Sequence, residues 1–307
     1  MRRYSDTMAL EASYNDDSLV RDYRERYAAE RKNGTPCSVT SRAAARFRSI
    51  IYRYYRRNRR DFPWRRTADH YHILVSEIML QQTQVGRVTE KFPEFIRAFP
   101  TIEILARAPL AGVLAAWQGL GYNRRAANLH RLAAAVMTEH GGIIPEDPEV
   151  LARLPGIGRA TAASIAAFAF NRPVAFIETN IRAVFLHFFF HGREGVGDRE
   201  ILPLVEAVMD RSSPREWYSA LMDYGTMLKR RHPNPSRASD RHRKQAPFHG
   251  SRRQLRGEIV RILLRDPGMT VEGLAKETTR PETEVRDAAR GLVDEGLVKR
   301  KGRRLFV

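Results

Sequence analysis

The chain has 307 residues, of which 43% are hydrophobic, and it carries a formal net charge of +18. This length is sufficient to bury a full hydrophobic core, and it predicts more than one domain. A single cysteine, Cys37, excludes a disulfide framework and an all-cysteine metal cluster within one chain. The sequence shows neither an apolar run of membrane-spanning length nor a signal-peptide pattern, so we expect a cytoplasmic protein without a membrane partner.

The positive charge is concentrated in two segments. Between residues 42 and 66, ten arginines stand against one acid, Asp61. Between residues 229 and 256, ten lysines or arginines stand against Asp240 alone. Concentrated positive charge favours binding to a polyanion, because binding releases counterions. The alternative is a solvated basic surface that keeps the protein in solution.

In chain order, residues 1–40 are polar and lack sustained periodicity, so we expect a loosely packed N-terminal extension. From residue 41 to about residue 220, apolar residues recur at three- and four-residue spacing, and glycine and proline stand at the joins. This pattern predicts a body of short helices, and we place its end at residue 232. The clearest helical stretches are Ile73–Val85, Phe92–Phe99, Ile102–Ala108, Leu110–Trp117 and Ala126–Glu139.

Two further segments follow the helical body. Residues 233–251 are rich in proline, serine, arginine and histidine, which predicts a basic linker or loop. Residues 252–307 predict a separate unit with three helices and a hairpin that turns at Gly302. Three helices followed by a hairpin are typical of a winged helix-turn-helix module.

The segment Leu154–Ala162 has the most informative local sequence. Its Pro-Gly-x-Gly turn leads into a helix, so several main-chain N–H groups lie together at the positive end of the helix dipole and can bind one phosphate. A carboxylate, Glu178, follows where that helix ends. A phosphate-binding turn near a buried acid indicates chemistry performed on DNA. The alternative is an ordinary tight turn, although the small residues at 161–164 favour close helix packing instead.

Five segments carry a resemblance to a known family. They are Phe62–Arg65, Val75–Val85, Gly119–Tyr122, the hairpin at Leu154–Arg159 and Met222–Gly225. In this order they resemble the helix-hairpin-helix (HhH-GPD) DNA glycosylase superfamily, and in particular its adenine glycosylase (MutY) branch, over about residues 45–228. The resemblance implies a mainly α, two-lobed helix-hairpin-helix glycosylase fold in residues 41–232. A small winged-helix-like module then follows in residues 252–307.

The resemblance also implies the catalytic residues. Glu77 lies in an otherwise apolar helix, and a buried carboxyl tends to stay protonated and can act as a general acid. In similar enzymes this acid protonates a nitrogen of the extruded adenine and then helps to activate water. Glu178 stands where the superfamily has an aspartate that stabilises an oxocarbenium-like transition state, and Asn180 could orient water or that carboxylate. The alternatives are a Glu77–arginine ion pair and a helix-capping role for Glu178.

Further residues are predicted to bind DNA. Gln81, Gln82 and Thr83 can fill the gap that a flipped base leaves, which must be held open because extrusion costs energy. Tyr122 is similar to the family's stacking wedge, although a tyrosine in such a loop is otherwise often a packing residue. The hairpin would bind a phosphate on the 3′ side of the lesion, and in the family its carbonyls can also hold a monovalent cation. The hairpin residues predicted to contact DNA are Leu154, Gly156, Ile157, Gly158, Arg159 and Thr161.

The chain departs from the family pattern at several positions. Ala160 replaces the nucleophilic lysine of bifunctional relatives such as endonuclease III, so no Schiff base can form from this site and no AP lyase activity is expected. Glu178 is one methylene longer than the family's aspartate, and catalysis tolerates such displacements poorly. Relatives carry four cysteines past Met227, where this chain has none, so we expect no iron–sulfur cluster, no other cofactor and no metal site. We also expect the winged-helix-like module to replace the 8-oxoguanine-recognising C-terminal domain of typical adenine glycosylases.

We therefore expect a monofunctional base-excision repair glycosylase that acts as a monomer on double-stranded DNA with a mispaired or damaged base. Adenine opposite guanine or 8-oxoguanine is the leading substrate. A second hypothesis keeps the fold but takes uracil, mismatched thymine or a modified purine. A third is a catalytically silent DNA-binding protein, although binding alone needs none of Glu77, Gln81, Gln82 and Asn180. Action on DNA implies a cytoplasmic, nucleoid-associated location.

Overall fold

The computed structural model describes residues 16–31, 39–231, 233–240 and 247–307. Over these residues the chain is helical, apart from one antiparallel hairpin near its C-terminus, and the predicted mainly α fold is confirmed. None of the described helices is both long and apolar enough to cross a membrane.

Two compact units divide the chain, and the chain passes from one to the other more than once. Unit 1 contains Met1–Arg60 and Asn171–Arg243, and unit 2 contains Asp61–Phe170 and Lys244–Val307. In chain order the helices and strands are α1 Asp16–Arg31, α2 Ser41–Asn58, α3 His70–Leu80, α4 Val85–Ala98, α5 Ile102–Arg107, α6 Leu110–Ala116, α7 Arg124–Glu139, α8 Pro148–Leu151, α9 Arg159–Phe170, α10 Thr179–Phe189, α11 Asp198–Val208, α12 Pro214–Arg231, α13 Arg252–Arg265, α14 Val271–Thr278, α15 Glu282–Asp294, β1 Lys299–Lys301 and β2 Arg304–Phe306.

Unit 1 is organised around a cluster of aromatic rings. Phe47 of α2 is fully buried, and its ring centroid lies 5.5 Å, 5.0 Å and 5.8 Å from those of Phe185, Phe188 and Trp217. These edge-to-face contacts add to the stabilisation that burial of the rings supplies. The cluster joins α2 to α10 and α12, and α10 is the helix that begins directly after Glu178.

The expectation of a loosely packed N-terminal extension is wrong for α1. Tyr23 and Tyr27 are 3% and 5% exposed, and the Tyr23 ring lies 5.7 Å from the Phe188 ring. Val20, Tyr23 and Tyr27 are spaced by three and four residues, so one apolar face is present in an otherwise polar segment. The remainder of the predicted extension, residues 1–15 and 32–38, lies outside the described residues.

The helix α3 lies at the centre of unit 2. It packs against α4, α7 and α9, and its residues Ile73, Leu74, Val75, Ile78 and Met79 are at most 4% exposed. Because apolar side chains surround the helix on nearly every side, the one carboxylate on α3, Glu77, is held among buried neighbours.

The sequence pattern predicts one helix through Ile73–Val85, and this prediction is wrong. The helix α3 ends at Leu80, Gln82 has a left-handed φ of 53°, and α4 begins at Val85. The guanidinium of Arg125 donates to main-chain carbonyls at the end of α3, and these hydrogen bonds replace those that a continuing helix would supply.

The C-terminal residues form the predicted three helices and hairpin. Ile259, Ile262 and Leu263 of α13 are at most 1% exposed, as the predicted apolar face requires. The side chain of Thr270 accepts the N–H of Gly273 and caps the start of α14. Gly302 makes the turn between β1 and β2. That these elements form a winged-helix module, and that the module binds DNA, both stay predictions.

The segment predicted as a basic linker, residues 233–251, contains a short 3-10 turn at Pro235–Ala238. Its residues 241–246 lie outside the described residues. From Arg252 onward the chain belongs to unit 2, which it shares with residues 61–170.

Candidate active site

Glu77 is half-buried on α3, and one side chain from another helix holds its carboxylate. The hydroxyl of Ser164 lies 2.6 Å from Glu77 Oε2 and 3.2 Å from the carbonyl oxygen of Thr161 on α9. An ionised Glu77 accepts a hydrogen bond from the Ser164 hydroxyl. A protonated Glu77 can instead donate to Ser164 Oγ, while the serine proton turns to the Thr161 carbonyl. The geometry thus accommodates both protonation states that a general acid passes through.

Ser164 is a residue that the sequence analysis did not assign to the site. It is 7% exposed, and it was read only as one of several small residues that allow close helix packing. The available signal was polarity, because Ser164 is the one hydroxyl in the apolar middle of α9. A buried hydroxyl requires a hydrogen-bond partner, and Glu77 supplies it.

Gln81, Gln82 and Thr83 form the connection between α3 and α4, and Arg125 holds this connection in place. The Arg125 guanidinium donates to the carbonyls of Ile78 and Met79 at 2.8 Å each, to that of Gln81 at 2.7 Å and to Thr83 Oγ1 at 2.8 Å. The same guanidinium donates to the carbonyls of Leu120 and Gly121 at 3.2 Å and 3.1 Å.

Arg125 therefore joins the Gln81–Thr83 connection to the loop that carries Tyr122. Burial lowers the pKa of Arg125 to about 10, which still leaves its side chain charged at neutral pH. Sequence analysis did not assign Arg125 a role, because an arginine in the first turn of a helix carries no signal of tertiary contacts.

Two predicted DNA-contacting residues have left-handed backbone conformations. Gln82 has a φ of 53° and Tyr122 a φ of 50°, a region that residues with a side chain rarely adopt. Each such residue costs of order 1–3 kcal/mol, and residues of this kind cluster at functional sites. Gln82 is exposed, and the Tyr122 ring lies between two guanidinium groups, 5.5 Å from Arg125 and 5.6 Å from Arg253. Contact of Gln82 and Tyr122 with DNA stays a prediction.

The hairpin before α9 has the predicted form. The side chains of Leu154 and Ile157 are 5% and 6% exposed, so only their main-chain atoms are available to a ligand. Gly158 and Arg159 are exposed, and the first main-chain hydrogen bond of the helix runs from Ala162 N to Gly158 O. The N–H groups from Gly158 to Thr161 precede that bond and form the amide-rich helix start that a phosphate can occupy.

Gly156 is required by the packing of this hairpin. Its φ is +79°, and a β-carbon at this position would lie 2.5 Å from Cβ of Asn128 on α7. Only glycine permits both the conformation and the close approach. One turn into α9, Thr161 Oγ1 accepts a hydrogen bond of 3.2 Å from Gln81 Nε2. The hairpin helix is thus tied to α3 through Gln81–Thr161 and Glu77–Ser164.

Glu178 and Asn180 lie in unit 1, where Glu178 caps α10. Glu178 Oε1 accepts the N–H groups of Asn180 and Ile181 at 2.7 Å and 2.9 Å, and Oε2 lies 3.3 Å from Asn180 Nδ2. The capping role that the sequence left open is therefore present. It also fixes the carboxylate, since Oε1 has two main-chain amide donors and Oε2 has a longer contact from the Asn180 side chain.

The charge state of Glu178 depends on opposing effects. Burial raises the pKa of Glu178, and the Ile181 amide, the positive charge of Lys229 and the Asn180 donors act in the opposite direction. Burial also lowers the pKa of Lys229, against the effect of Glu178. Lys229 lies one turn after Gly225, where α12 comes so close to Asn180 that a β-carbon would lie 2.3 Å from the Asn180 carbonyl oxygen. Lys229 is a further residue that the sequence analysis did not place at the site.

Comparison with known proteins places the chain in a family. Residues 75–211 match the profile described as HhH-GPD superfamily base excision DNA repair protein. The adenine DNA glycosylase of Mycolicibacterium smegmatis is 34% identical over 227 residues, which cover 68% of this chain and 78% of that protein. The chain belongs to the HhH-GPD superfamily, in its adenine DNA glycosylase branch.

Other members differ in length. The adenine DNA glycosylase of Mycobacterium tuberculosis (strain H37Rv) is 38% identical over 180 residues, which cover 57% of this chain and 59% of that protein. The adenine DNA glycosylase of Homo sapiens is 31% identical over 240 residues, which cover 74% of this chain and 41% of that protein. The chain therefore spans little more than half the length of the first of these and less than half of the second.

Solved structures share the fold. The structure of a thermostable thymine-DNA glycosylase has a TM-score of 0.54 and 27% identity, and the match covers 60% of this chain and 86% of that one. A non-covalent endonuclease III–DNA complex has a TM-score of 0.51 and 18% identity, covering 69% and 91% of the two chains. The predicted helix-hairpin-helix glycosylase fold is confirmed.

The HhH-GPD residues of this chain do not fit an iron–sulfur cluster. A four-cysteine cluster needs four thiolates, and the full sequence contains only Cys37. Within the described residues there is also no group of three or more His, Cys, Asp or Glu side chains suited to a metal ion. A monovalent cation at the hairpin carbonyls stays a prediction.

Proposed function

We propose that this chain is a monofunctional DNA glycosylase that hydrolyses the N-glycosidic bond of a flipped adenine, mispaired with guanine or 8-oxoguanine in double-stranded DNA. The observation that carries the proposal is the Glu77–Ser164 contact of 2.6 Å on the helix that is tied to the hairpin. A half-buried acid with a hydroxyl partner that accommodates both of its protonation states suits a group that first donates and later accepts a proton.

In the proposed reaction Glu77 protonates a nitrogen of the adenine ring. The C1′–N bond then breaks, its electron pair leaves with the base, and the sugar acquires oxocarbenium character. Glu178, fixed by the amides of Asn180 and Ile181, supplies negative charge toward that cation. The Glu77 carboxylate takes a proton from the attacking water.

The predicted monofunctional character rests on Ala160. This residue is exposed at the first turn of α9, beside the amide-rich start of the helix, and it carries no amine. A Schiff base with the sugar therefore has no nucleophile at this position, and the DNA backbone is expected to stay intact after base release.

A second candidate substrate is thymine in a mismatch, or another base. The thermostable thymine-DNA glycosylase is a structural neighbour at 27% identity, and Ala160 and Glu178 are departures from the family pattern. A panel of duplexes with adenine, thymine, uracil or a modified purine opposite each partner base, with mass-spectrometric detection of the free base, separates the two candidates. Release of adenine alone supports the first proposal, and release of thymine alone replaces it.

The panel includes the variant Glu77→Gln, which keeps the side-chain shape but cannot donate or accept the catalytic proton. We expect base release to fall by at least about 100-fold, the usual lower contribution of general acid–base catalysis, with DNA affinity unchanged. Turnover at the wild-type rate in this variant would remove Glu77 from the mechanism. If the wild-type protein releases no base from any duplex, the chain is a DNA-binding protein without catalysis.

A further inference from the structure

A basic groove in unit 2 lies next to Tyr122 and is not used in the proposed reaction. It has a volume of about 930 Å³, and its walls are the Gln118–Arg124 loop, the Gln82–Gln84 connection and the helix α13 of the C-terminal module. Six arginines and two glutamates line it, so its charge is strongly positive. The arginines are Arg87, Arg124, Arg252, Arg253, Arg256 and Arg261.

Arg253 joins the C-terminal module to the Tyr122 loop inside this groove. Its Nη1 donates to the Tyr122 hydroxyl at 2.9 Å. Its guanidinium lies 5.6 Å from the Tyr122 ring and 5.4 Å from the Phe248 ring, so it is placed between two aromatic faces. Phe248 is 52% exposed, which is unusual for a side chain of this size. Arginines that alternate with accessible aromatic rings can bind phosphates and stack bases.

The helix expected to read DNA in a winged-helix module has the wrong charge. The third helix, α15, carries four acidic residues and only Arg286 and Arg290, and Arg286 pairs with Glu282. The helix α13 carries five arginines and one acid, and several of these arginines line the groove. A polyanion is attracted to α13 and repelled by α15. The hairpin β1–β2 is also basic, but it does not line the groove.

We propose that the groove between α13 and the Tyr122 loop binds the DNA strand opposite the flipped nucleotide, with Arg253 and Arg261 at its phosphates and Phe248 against one of its bases. The choice of strand rests on the proposed function, since Gln82 and Tyr122, which would occupy the gap left by the flipped base, lie in the wall of the same groove. In this proposal the C-terminal module binds DNA through its first helix, α13.

The test measures binding alone, by fluorescence anisotropy at several salt concentrations. The probe is a labelled duplex with a tetrahydrofuran abasic-site analogue opposite guanine. We expect Arg253→Ala and Arg261→Ala each to weaken binding and to reduce the magnitude of the log–log salt slope by about 0.9. Phe248→Ala should weaken binding about tenfold with an unchanged slope, because stacking involves no counterion. The Arg261 side chain is 60% exposed, so its replacement does not disturb the core.

Matched controls are Arg290→Ala on α15 and Arg303→Ala in the hairpin, both exposed and outside the groove. The proposal requires wild-type binding by both. Weakened binding by the controls together with wild-type binding by the groove variants would overturn it in favour of a winged-helix mode. Wild-type binding by all five variants would also overturn it and would leave an acidic protein as the partner of the groove. If the groove variants bind the duplex as the wild type does and the wild-type protein releases adenine, the groove proposal is rejected and the proposed function stands.

Discussion

At the scale of single residues, the contact between Ser164 and Glu77 is the feature with the most direct chemical consequence. Ser164→Ala removes the hydrogen bond and leaves Glu77 without this partner on α9. A hydrogen bond to a charged group contributes about 1.5–3 kcal/mol, so we expect kcat to fall by about 10- to 100-fold with little change in KM for DNA. Single-turnover measurements of adenine release provide the rate.

Ser76→Ala is the matched control for this prediction. Ser76 is next to Glu77 and fully buried, but its hydroxyl donates to the Ile73 carbonyl of its own helix, at 2.7 Å. The pH dependence of kcat should move in Ser164→Ala and stay unchanged in Ser76→Ala, because only Ser164 contacts the proposed acid. Identical pH profiles in the two variants would mean that Ser164 has only a packing role.

Glu178 is expected to reduce stability at neutral pH while it serves catalysis. Since burial raises its pKa in the folded state, the folded protein favours the protonated form, and the free energy of unfolding decreases as pH rises through that pKa. Glu178→Gln removes the charge and keeps an oxygen for the Asn180 and Ile181 amides. We expect a higher Tm than wild type at neutral pH, with base release strongly reduced.

The Tm difference between Glu178→Gln and wild type should shrink as the pH falls through the raised pKa of Glu178 toward the usual glutamate value of 4.5, below which Glu178 is neutral in both the folded and the unfolded protein. Thermal unfolding followed by circular dichroism over this range measures the difference. A Tm below that of wild type at neutral pH would show that the charged carboxylate stabilises the fold as a helix cap.

Some residues of the candidate site can be recognised from the sequence, and others cannot. Glu77 could be recognised because a carboxylate interrupts an apolar helix, and that pattern is visible within ten neighbouring residues. Ser164 and Lys229 could not, because each acquires its meaning from a residue far away in the chain, Glu77 for the first and Glu178 for the second. Their types, serine and lysine, are common on ordinary helices.

At the scale of elements, Arg125 determines where α3 stops. The apolar period of Ile73–Val85 continues past Leu80, so the sequence alone predicts a longer helix. The end of α3 depends instead on four hydrogen bonds from the guanidinium of Arg125 in α7, which go to the carbonyls of Ile78, Met79 and Gln81 and to Thr83 Oγ1. Tertiary contacts of this kind override local propensity, and no local pattern reveals them. The helices themselves follow the apolar period, which is why the fold class was predictable.

Arg125→Met tests this role. The variant leaves several half-buried carbonyls without a donor, so we expect the free energy of unfolding to decrease by about 3 kcal/mol or more. Arg131→Met, on the exposed side of the same helix, should change it by less than about 0.5 kcal/mol. Urea denaturation of both variants gives the comparison, and equal stability of the two would contradict the assignment.

At the scale of the whole molecule, the concentration of positive charge makes the proposed DNA binding testable through its dependence on salt. If the segment at residues 42–66 contacts the duplex, the logarithm of the affinity should fall linearly with the logarithm of salt concentration, by about 0.9 for each phosphate neutralised. Replacing the exposed Arg56 and Arg59 with glutamine should lower the magnitude of this slope by about 0.9 each. An unchanged slope would assign this segment to the solvated surface.

The division of the chain has a consequence for synthesis on the ribosome. Unit 1 is completed only when Asn171–Arg243 joins the first sixty residues, and the whole of Asp61–Phe170 must be translated in between. The cluster of aromatic rings around Phe47 therefore stays incomplete in the nascent chain until Phe185, Phe188 and Trp217 have been synthesised. During that interval chaperones can bind the exposed aromatic rings of α2. A truncated transcript that ends before Trp217 would yield a fragment that aggregates.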